Sequence, residues 1–440
     1  MSFLAWLKVG LNIKRWILLG TIGFVILVLG VSKLILVGLF LDLNFFIGLL
    51  LSIIGGIATY ISFRNLFKSL LTITGCSVSD INRKRIEDLY EKKFLIRGPR
   101  IVAIGGGTGL STMLRGLKAY TSNITAIVTV ADDGGGSGIL RETLGMLPPG
   151  DIRNCLVALA NTEPLMEQLM QYRFKEGDLK GQSFGNLFIA AMNGISVNFL
   201  EAIKKMSDVL AVQGKVYPVT LESVTLCAKL SDGSIVKGES KIAYEVLKRK
   251  AKIERVFLEP DNPIPLQEAI DAINEADCII IGPGSLYTSV LPNLVIKEVA
   301  EAIKKSKALK VYVSNIMTQL GETDEYKLSD HVKAIEKHCG GRIVDFIIAN
   351  NGKIPRDYYE KYKNDGQFMV KNDVENIPEY KVIQEDLVEI NKYGYLRHNT
   401  KKLAETIMNL ILKEVFPKDK RRILDYYYLL ERVRKKDQEV

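Results

Sequence analysis

At 440 residues the chain is longer than a single hydrophobic core usually serves, so two or three structural units are expected. A hydrophobic share of 47% with 25% charged residues is that of a folded protein. The net charge of +9 would suggest a nucleic-acid partner, but 13 Lys and Arg against 5 Asp and Glu precede Ile101, leaving +1 for everything after. The excess sits where basic residues flank a membrane on its cytoplasmic side, and no nucleic-acid partner is expected.

Two apolar stretches come first, Trp16 to Val37 and Asn44 to Ser62, separated by Gly38 to Leu43. Each is near the roughly 20 residues that cross about 30 Å of hydrocarbon as helix. Residues 1–63 therefore read as an α-helical transmembrane hairpin. A cleaved signal peptide is disfavoured because the second stretch follows at once. Lys8, Lys14 and Arg15 precede the first span, Arg64 and Lys68 follow the second, and the short connection carries Asp42. The positive-inside rule then puts both ends in the cytoplasm, giving a two-pass protein of the cell membrane. Residues 64–99 read as a cytoplasmic linker with a helical run from Ser79 to Lys93 that starts at an Asp80 cap.

From 100 to 412 short β-branched runs alternate with helical patterns: RIVAIG, a helix from Leu110 to Ala119, ITAIVTV, a helix after Asp151, then CIIIG, LKVYVSN and VDFIIAN. This order implies an α/β fold, a Rossmann-like doubly wound parallel sheet with ligands at the strand C-termini. Between Val216 and Ile253 the texture changes to short strands around an Asp232-Gly233 turn, a β-rich insertion. Residues 413–440 form a basic tail with a tyrosine stripe, readable as an amphipathic helix on membrane or body, or as a solvated end. Five cysteines without a CxxC pair indicate reduced, mostly buried thiols, and only three histidines argue against a His-based metal centre.

The strand ends carry the chemistry. Gly105-Gly106-Gly107-Thr108-Gly109 lets backbone N–H groups approach phosphate oxygens at a helix N-terminus. It fits neither the dinucleotide fingerprint nor the P-loop. The second strand ends in Asp132-Asp133-Gly134 followed by Ser137 and Gly138, where two carboxylates could contact ligand hydroxyls or hold Mg²⁺ beside a phosphate. Asp132 and Asp133 are the candidates for catalysis and for metal binding; an Asp here could also contact the ribose of NAD, which keeps a dehydrogenase as a competing reading. Asp151 reads as a helix N-cap, with Arg153 and Asn154 facing an anion. Asn186 precedes another helix, Gly282, Gly284, Ser285 and Tyr287 follow CIII, and Asn315 and Thr318 follow VYVS. No GxSxG elbow, HExxH or cysteine-protease signature is present, so nucleophilic catalysis is unsupported.

Taken together, GGGTGLS, VADDGGGSG, PPGDIRN, GNLFIAAM, GPGSLYTSVLPN and SNIMTQLGET closely resemble the gluconeogenesis factor YvcK family, relatives of the 2-phospho-L-lactate transferase CofD, over Arg100 to Leu412. The resemblance implies a Rossmann-like core that binds a nucleotide ligand, a UDP-sugar such as UDP-N-acetylglucosamine, and a regulatory role linking carbon metabolism to cell wall synthesis and cell shape. The transferase branch implies instead a phospholactyl transfer to a deazaflavin using Mg²⁺, with its deazaflavin-contacting acid in the loop of Asp133. Gly136 stands where the family commonly has Ser, Gln182 where it has His, and Leu320 where it has Pro, which favours binding over acid-base chemistry. Ile354 to Tyr362 and the run Leu396 to Lys402 also match, so Tyr362 could stack on uracil and Arg397 pair with a pyrophosphate. Thr400 reads as a helix cap and as a candidate target of a Ser/Thr kinase. A homo-oligomer is expected.

Overall fold

The structure, a computed structural model, describes residues 13–37, 43–73, 92–161, 164–391 and 394–438; the connection carrying Asp42 and most of the run after Asp80 lie outside these. The chain divides into two compact units, Met1–Lys92 and Lys93–Val440.

The first unit is an antiparallel-type pair of helices, α1 (Ile13–Val37) and α2 (Leu43–Ile73). Both hold a segment long and apolar enough to cross a membrane, Trp16–Leu36 and Leu43–Leu66. The second helix outruns the expected apolar stretch by continuing through RNLFKSLLTI. Leu18, Phe24, Leu29 and Ile35 point outward, whereas small residues line the seam. A Cβ on Gly23 would stand 2.8 Å from the Thr59 backbone nitrogen, and one on Gly55 would collide with the Leu27 backbone. Glycines thus let two apolar helices meet at backbone distance, the usual basis of helix association where lipid removes the hydrophobic drive.

The second unit begins within a short helix (α3, 92–97). Its main sheet contains β1 (Ile101–Gly105), β2 (Ile124–Val128), β3 (Lys215–Pro218), β7 (Cys278–Ile281), β8 (Leu309–Val313), β9 (Phe346–Asn350) and β10 (Lys381–Glu385), numbered along the chain. All neighbours are parallel, in the order β10-β9-β8-β7-β1-β2-β3. Every residue of β1, β7 and β9 is buried, as continuous apolar runs require when helices cover both faces. From β1 the chain proceeds to β2 and β3 on one side, and from β7 to β10 on the other. Right-handed crossovers therefore carry α4 (Gly107–Leu117) to one face and α13 (Lys297–Lys305) and α14 (Leu328–Cys339) to the opposite one, opening a crevice above β1 and β7.

Between β2 and β3 lie α5 (Gly135–Leu144), α6 (Gly150–Leu159), α7 (Pro164–Gln171), α8 (Phe184–Gly194) and α9 (Phe199–Val209). The antiparallel sheet β5-β4-β6 comprises β4 (Thr225–Leu230), β5 (Ile235–Lys237) and β6 (Ile253–Glu259), with α10 (Glu239–Arg249) packed on it. This corrects the expected insertion at both ends. Val216 pairs in register with Ala126, so VYP is the edge strand β3 of the main sheet. At the other end the charged run IERV hides β6, whose Val256 and Leu258 turn inward. The Asp232-Gly233 turn is present: Asp232 accepts the Ser234 N–H at 2.9 Å and Gly233 has φ +84°.

The remaining elements are α11 (Gln267–Glu275), α12 (Leu291–Leu294), α15 (Arg356–Asn364), the hairpin β11 (Val388–Ile390) and β12 (Leu396–His398), α16 (Thr400–Glu414) and α17 (Lys420–Gln438). The tail is helical and rests on the body through Tyr426, Leu429 and Leu430. Cys155, Cys227, Cys278 and Cys339 are buried free thiols.

Candidate functional site at the switch point of the sheet

The loops after β1 and β7 cross at backbone distance above the crevice. A Cβ on Gly109 would lie 2.7 Å from the Pro283 carbonyl oxygen, and one on Gly284 would lie 3.1 Å from the Gly106 oxygen. Gly107 and Gly282 take φ of +69° and +77°, which side-chain-bearing residues rarely adopt. These glycines do two jobs, turning each strand into its helix and letting one loop lie against the other.

Beside the crossing is a cavity of about 290 Å³. Gly107, Thr108, Gly109, Gly284 and Ser285 line one wall, and Asn315, Thr318, Tyr362 and Arg397 line another, so nine of the residues singled out in the sequence meet here. The Thr318 hydroxyl accepts the Phe368 N–H at 2.9 Å, and the Tyr362 hydroxyl accepts the Leu396 N–H at 2.9 Å. Arg397 donates to the Leu396 carbonyl at 2.8 Å and sits 5.4 Å above the Tyr395 ring. Tyr362 and Arg397 are thus positioned by the same stretch of β12. Sequence reasoning did not single out Ser289, Gln367 or His398, which also line the cavity. His398 Nε2 donates to the Ser314 carbonyl at 3.0 Å, and burial pushes its pKa down to about 4, so the ring is neutral at physiological pH. A histidine within a basic run gives no sign in sequence of such burial.

The other candidates lie elsewhere. Arg153 and Asn154 border a second cavity of about 480 Å³ that shares Thr108, Arg397 and His398 with the first. The Arg153 guanidinium donates to Asn154 and Asn186 at 2.9 and 2.8 Å and to Ser183. Asn186 therefore acts through Arg153. Tyr287 is buried, its hydroxyl 2.7 Å from that of Tyr326 and its ring edge-on to His338, which is a core position.

Asp132 and Asp133 belong to a third group. Asp132 Oδ1 accepts the Gly134 N–H, and Asp133 Oδ1 accepts the Ser240 N–H, both at 2.9 Å, so Asp133 ties the β2 loop to the first turn of α10. Ser137 is buried here, and Gly138 is pressed on the Asp133 carbonyl where no Cβ fits. Asp151 does not cap its own helix: Pro149 holds the N-cap position, and the Asp151 carboxylate instead accepts the Gly107 N–H. A Cβ on Gly106 would stand 2.5 Å from Asp151 Oδ2, so Gly106 makes room for that carboxylate. Burial, with Asp132 nearby, raises the Asp151 pKa to about 6. Thr400 likewise does not cap α16, since Asn399 accepts the Lys402 N–H at 2.9 Å and Thr400 is the first helical residue.

Two further acids face this group, Glu239 outside every motif and Glu322 within the SNIMTQLGET loop. Burial, together with Asp132, Glu322, Asp133 and Asp151, raises Glu239 to about 8. Burial raises Glu322 to about 7 against the hydrogen bond from Thr288 at 3.2 Å. Among the described residues no group of three His, Cys, Asp or Glu side chains is arranged to hold a metal ion.

Comparison with known proteins is consistent with this architecture. The family model of the 2-phospho-L-lactate transferase CofD matches residues 101–388. A protein of Clostridium acetobutylicum that carries the gluconeogenesis factor name provisionally is 50% identical over 442 aligned positions, 99% of this chain and 97% of its own. The gluconeogenesis factor of Bacillus subtilis is 49% identical over 316 residues, 71% of this chain and 98% of its own. The crystal structure of protein BH3568 from Bacillus halodurans matches with a TM-score of 0.68 at 49% identity, covering 71% of this chain and 99% of that one. The chain therefore belongs to the gluconeogenesis factor YvcK family of CofD-like proteins.

Proposed function

We propose that the protein is a membrane-tethered regulator that binds a nucleotide sugar, a UDP-sugar such as UDP-N-acetylglucosamine, and couples carbon metabolism to cell wall synthesis and cell shape. The observation that carries this reading is the convergence of strand-end loops and of Tyr362 and Arg397 on one cavity at the switch point of the sheet. Tyr362 offers a ring to a uracil, Arg397 a guanidinium to a pyrophosphate, and Thr108 and Ser285 hydroxyls to phosphate or sugar. Calorimetric titration of the full chain in detergent with UDP-N-acetylglucosamine tests it. Saturable binding is expected, weakened about 10- to 100-fold in Arg397→Ala by loss of a charged hydrogen bond. A folded protein that takes up no ligand at millimolar concentration ends the proposal.

We place α1 and α2 across the cell membrane with the body in the cytoplasm. The full chain is expected to stay with membranes after a high-salt wash, while a chain lacking the residues before Phe63 fractionates as soluble; equal solubility of the two removes the anchor.

A second reading is a Mg²⁺-dependent phospholactyl or phosphoryl transferase, favoured by Asp132 and Asp133 beside the phosphate loops. Each of these carboxylates has one oxygen committed to a backbone N–H, so they fit Mg²⁺ only where ligand phosphates and water complete its shell. Mass spectrometry of the ligand after incubation with Mg²⁺ and several acceptors separates the readings, since an unchanged ligand argues for the regulator.

A further inference from the structure

We propose that the face of the body at the N-terminal ends of β1, β2 and β7 docks on an anionic lipid surface, with α17 lying along the headgroups. The proposal rests on the membrane reading of the hairpin. A groove of about 410 Å³ on this face is lined by Arg97, Arg100, Arg421 and Arg422 opposite Asp277, Asp419 and Asp425. Arg97 pairs with Asp425 at 2.7 Å, Arg100 with Asp277 at 3.5 Å and Arg422 with Asp419 at 3.4 Å. Arg421 is exposed and has no acid partner among the described residues. Arg97 Nε and Arg422 Nη1 are buried donors with no hydrogen-bond acceptor among the described residues.

The helix beside the groove has an interfacial character. Its buried side is fixed by Tyr426, Leu429 and Leu430, which turns Lys420, Leu424 and Tyr427 outward. Leu424 is 68% and Tyr427 59% exposed, and Ile96 at the groove edge is 66% exposed. Large apolar side chains interleaved with Lys and Arg suit the headgroup boundary, where the stems and rings enter and the charges meet lipid phosphate.

Lipid is the occupant because of where the chain arrives. The linker from the apolar hairpin joins the body at Lys93, and α3, which follows, borders the groove through Ile96 and Arg97. A surface reached through a short tether needs little intrinsic affinity, since the tether supplies a high effective concentration. Docking this way leaves the ligand cavity, at the opposite ends of the strands, open to solvent.

The test reconstitutes the full chain into nanodiscs of phosphatidylcholine with or without phosphatidylglycerol and follows backbone hydrogen exchange of 419–434. Protection about fivefold or more greater in the anionic discs is expected, lost in high salt and in the double variant Lys420→Glu, Arg421→Glu, with Leu424→Ser giving a partial loss. Melting temperature and nucleotide-sugar binding should not change in these variants. Equal exchange in both discs overturns the proposal, as does the same protection produced by inorganic phosphate in detergent, which would make the groove a site for a soluble anion. Failure of the chain to enter either disc would instead remove the hairpin reading and this proposal with it.

Discussion

The acids gathered under α10 should make the body less stable as pH rises, and Glu239→Gln isolates the effect. Glu239 occupies the first turn of α10, where the helix dipole alone would favour its charge. Burial and four neighbouring carboxylates overcome that and lift its pKa from 4.5 to about 8. A folded-state pKa raised above the unfolded one means a contribution that is intact below about pH 4.5 and is lost as pH rises through about 8. At about 1.36 kcal/mol per unit the full loss approaches 5 kcal/mol, and sharing of the proton with Glu322 and Asp151 brings the expected range to about 2–5 kcal/mol. Glutamine keeps the shape without the charge, so the variant should match the parent near pH 5 and be more stable by that amount near pH 9. With unfolding entropy scaled to the body's length, this is about 3–7 °C in Tm. Both tryptophans, Trp6 and Trp16, lie in the hairpin segment, so circular dichroism in detergent, not tryptophan fluorescence, reports on the body. Equal Tm differences at the two pH values, or a variant less stable at high pH, would refute the reasoning.

Other perturbations address the loops, the caps and the hairpin. Gly109→Ala puts a methyl group 2.7 Å from the Pro283 carbonyl and should cost about 1–3 kcal/mol while abolishing the proposed nucleotide-sugar binding; normal calorimetric binding would contradict the loop contact. Asn399→Ala removes the acceptor for the Lys402 N–H, with about 1 kcal/mol lost and faster hydrogen exchange confined to the start of α16. Gly55→Leu drives a side chain into the Leu27 backbone and should sharply lower disulfide trapping between Gly20→Cys and Ser62→Cys, residues whose β-carbons would lie 3.3 Å apart.

Strands with uninterrupted apolar runs, such as CIII and FIIAN, announce themselves because a sheet covered on both faces demands that pattern. The edge strand KVIQE does not, since Val382, Ile383 and Glu385 are only half-buried and Lys381 and Gln384 are exposed. The site shows the same division. Glycine loops at strand ends were legible from conformational freedom and spacing, and they do meet. Which polar side chains line the cavity was legible only in part, because Arg153 is turned onto Asn154 and Asn186, and Asp133 onto the backbone of α10. Glu239 arrives from an element remote in sequence and leaves no local signal, whereas Glu322 lies inside SNIMTQLGET, where nothing local marks its approach to Glu239.

The Asp151 carboxylate bears on how the cavity would tolerate a polyanion. It accepts the N–H of Gly107, a donor that the glycine loop would otherwise turn toward a ligand phosphate, and its pKa of about 6 means that its charge appears within the physiological range. Asp132 adds to that charge and Arg153 offsets it. The pyrophosphate of a nucleotide sugar is a diester and keeps its charge through this range, so ligand affinity should rise as pH falls through about 6. At an effective dielectric near 20, one charge about 10 Å from the ligand is worth roughly 1–2 kcal/mol, or about five- to thirtyfold in Kd. Asp151→Asn should bind more tightly at pH 8 and lose most of this pH dependence. His398 is the competing explanation, but its pKa of about 4 puts its titration below the window. If the pH profile survives Asp151→Asn unchanged, the repulsion originates with Glu239 and Glu322 and the carboxylate at Gly107 is structural alone.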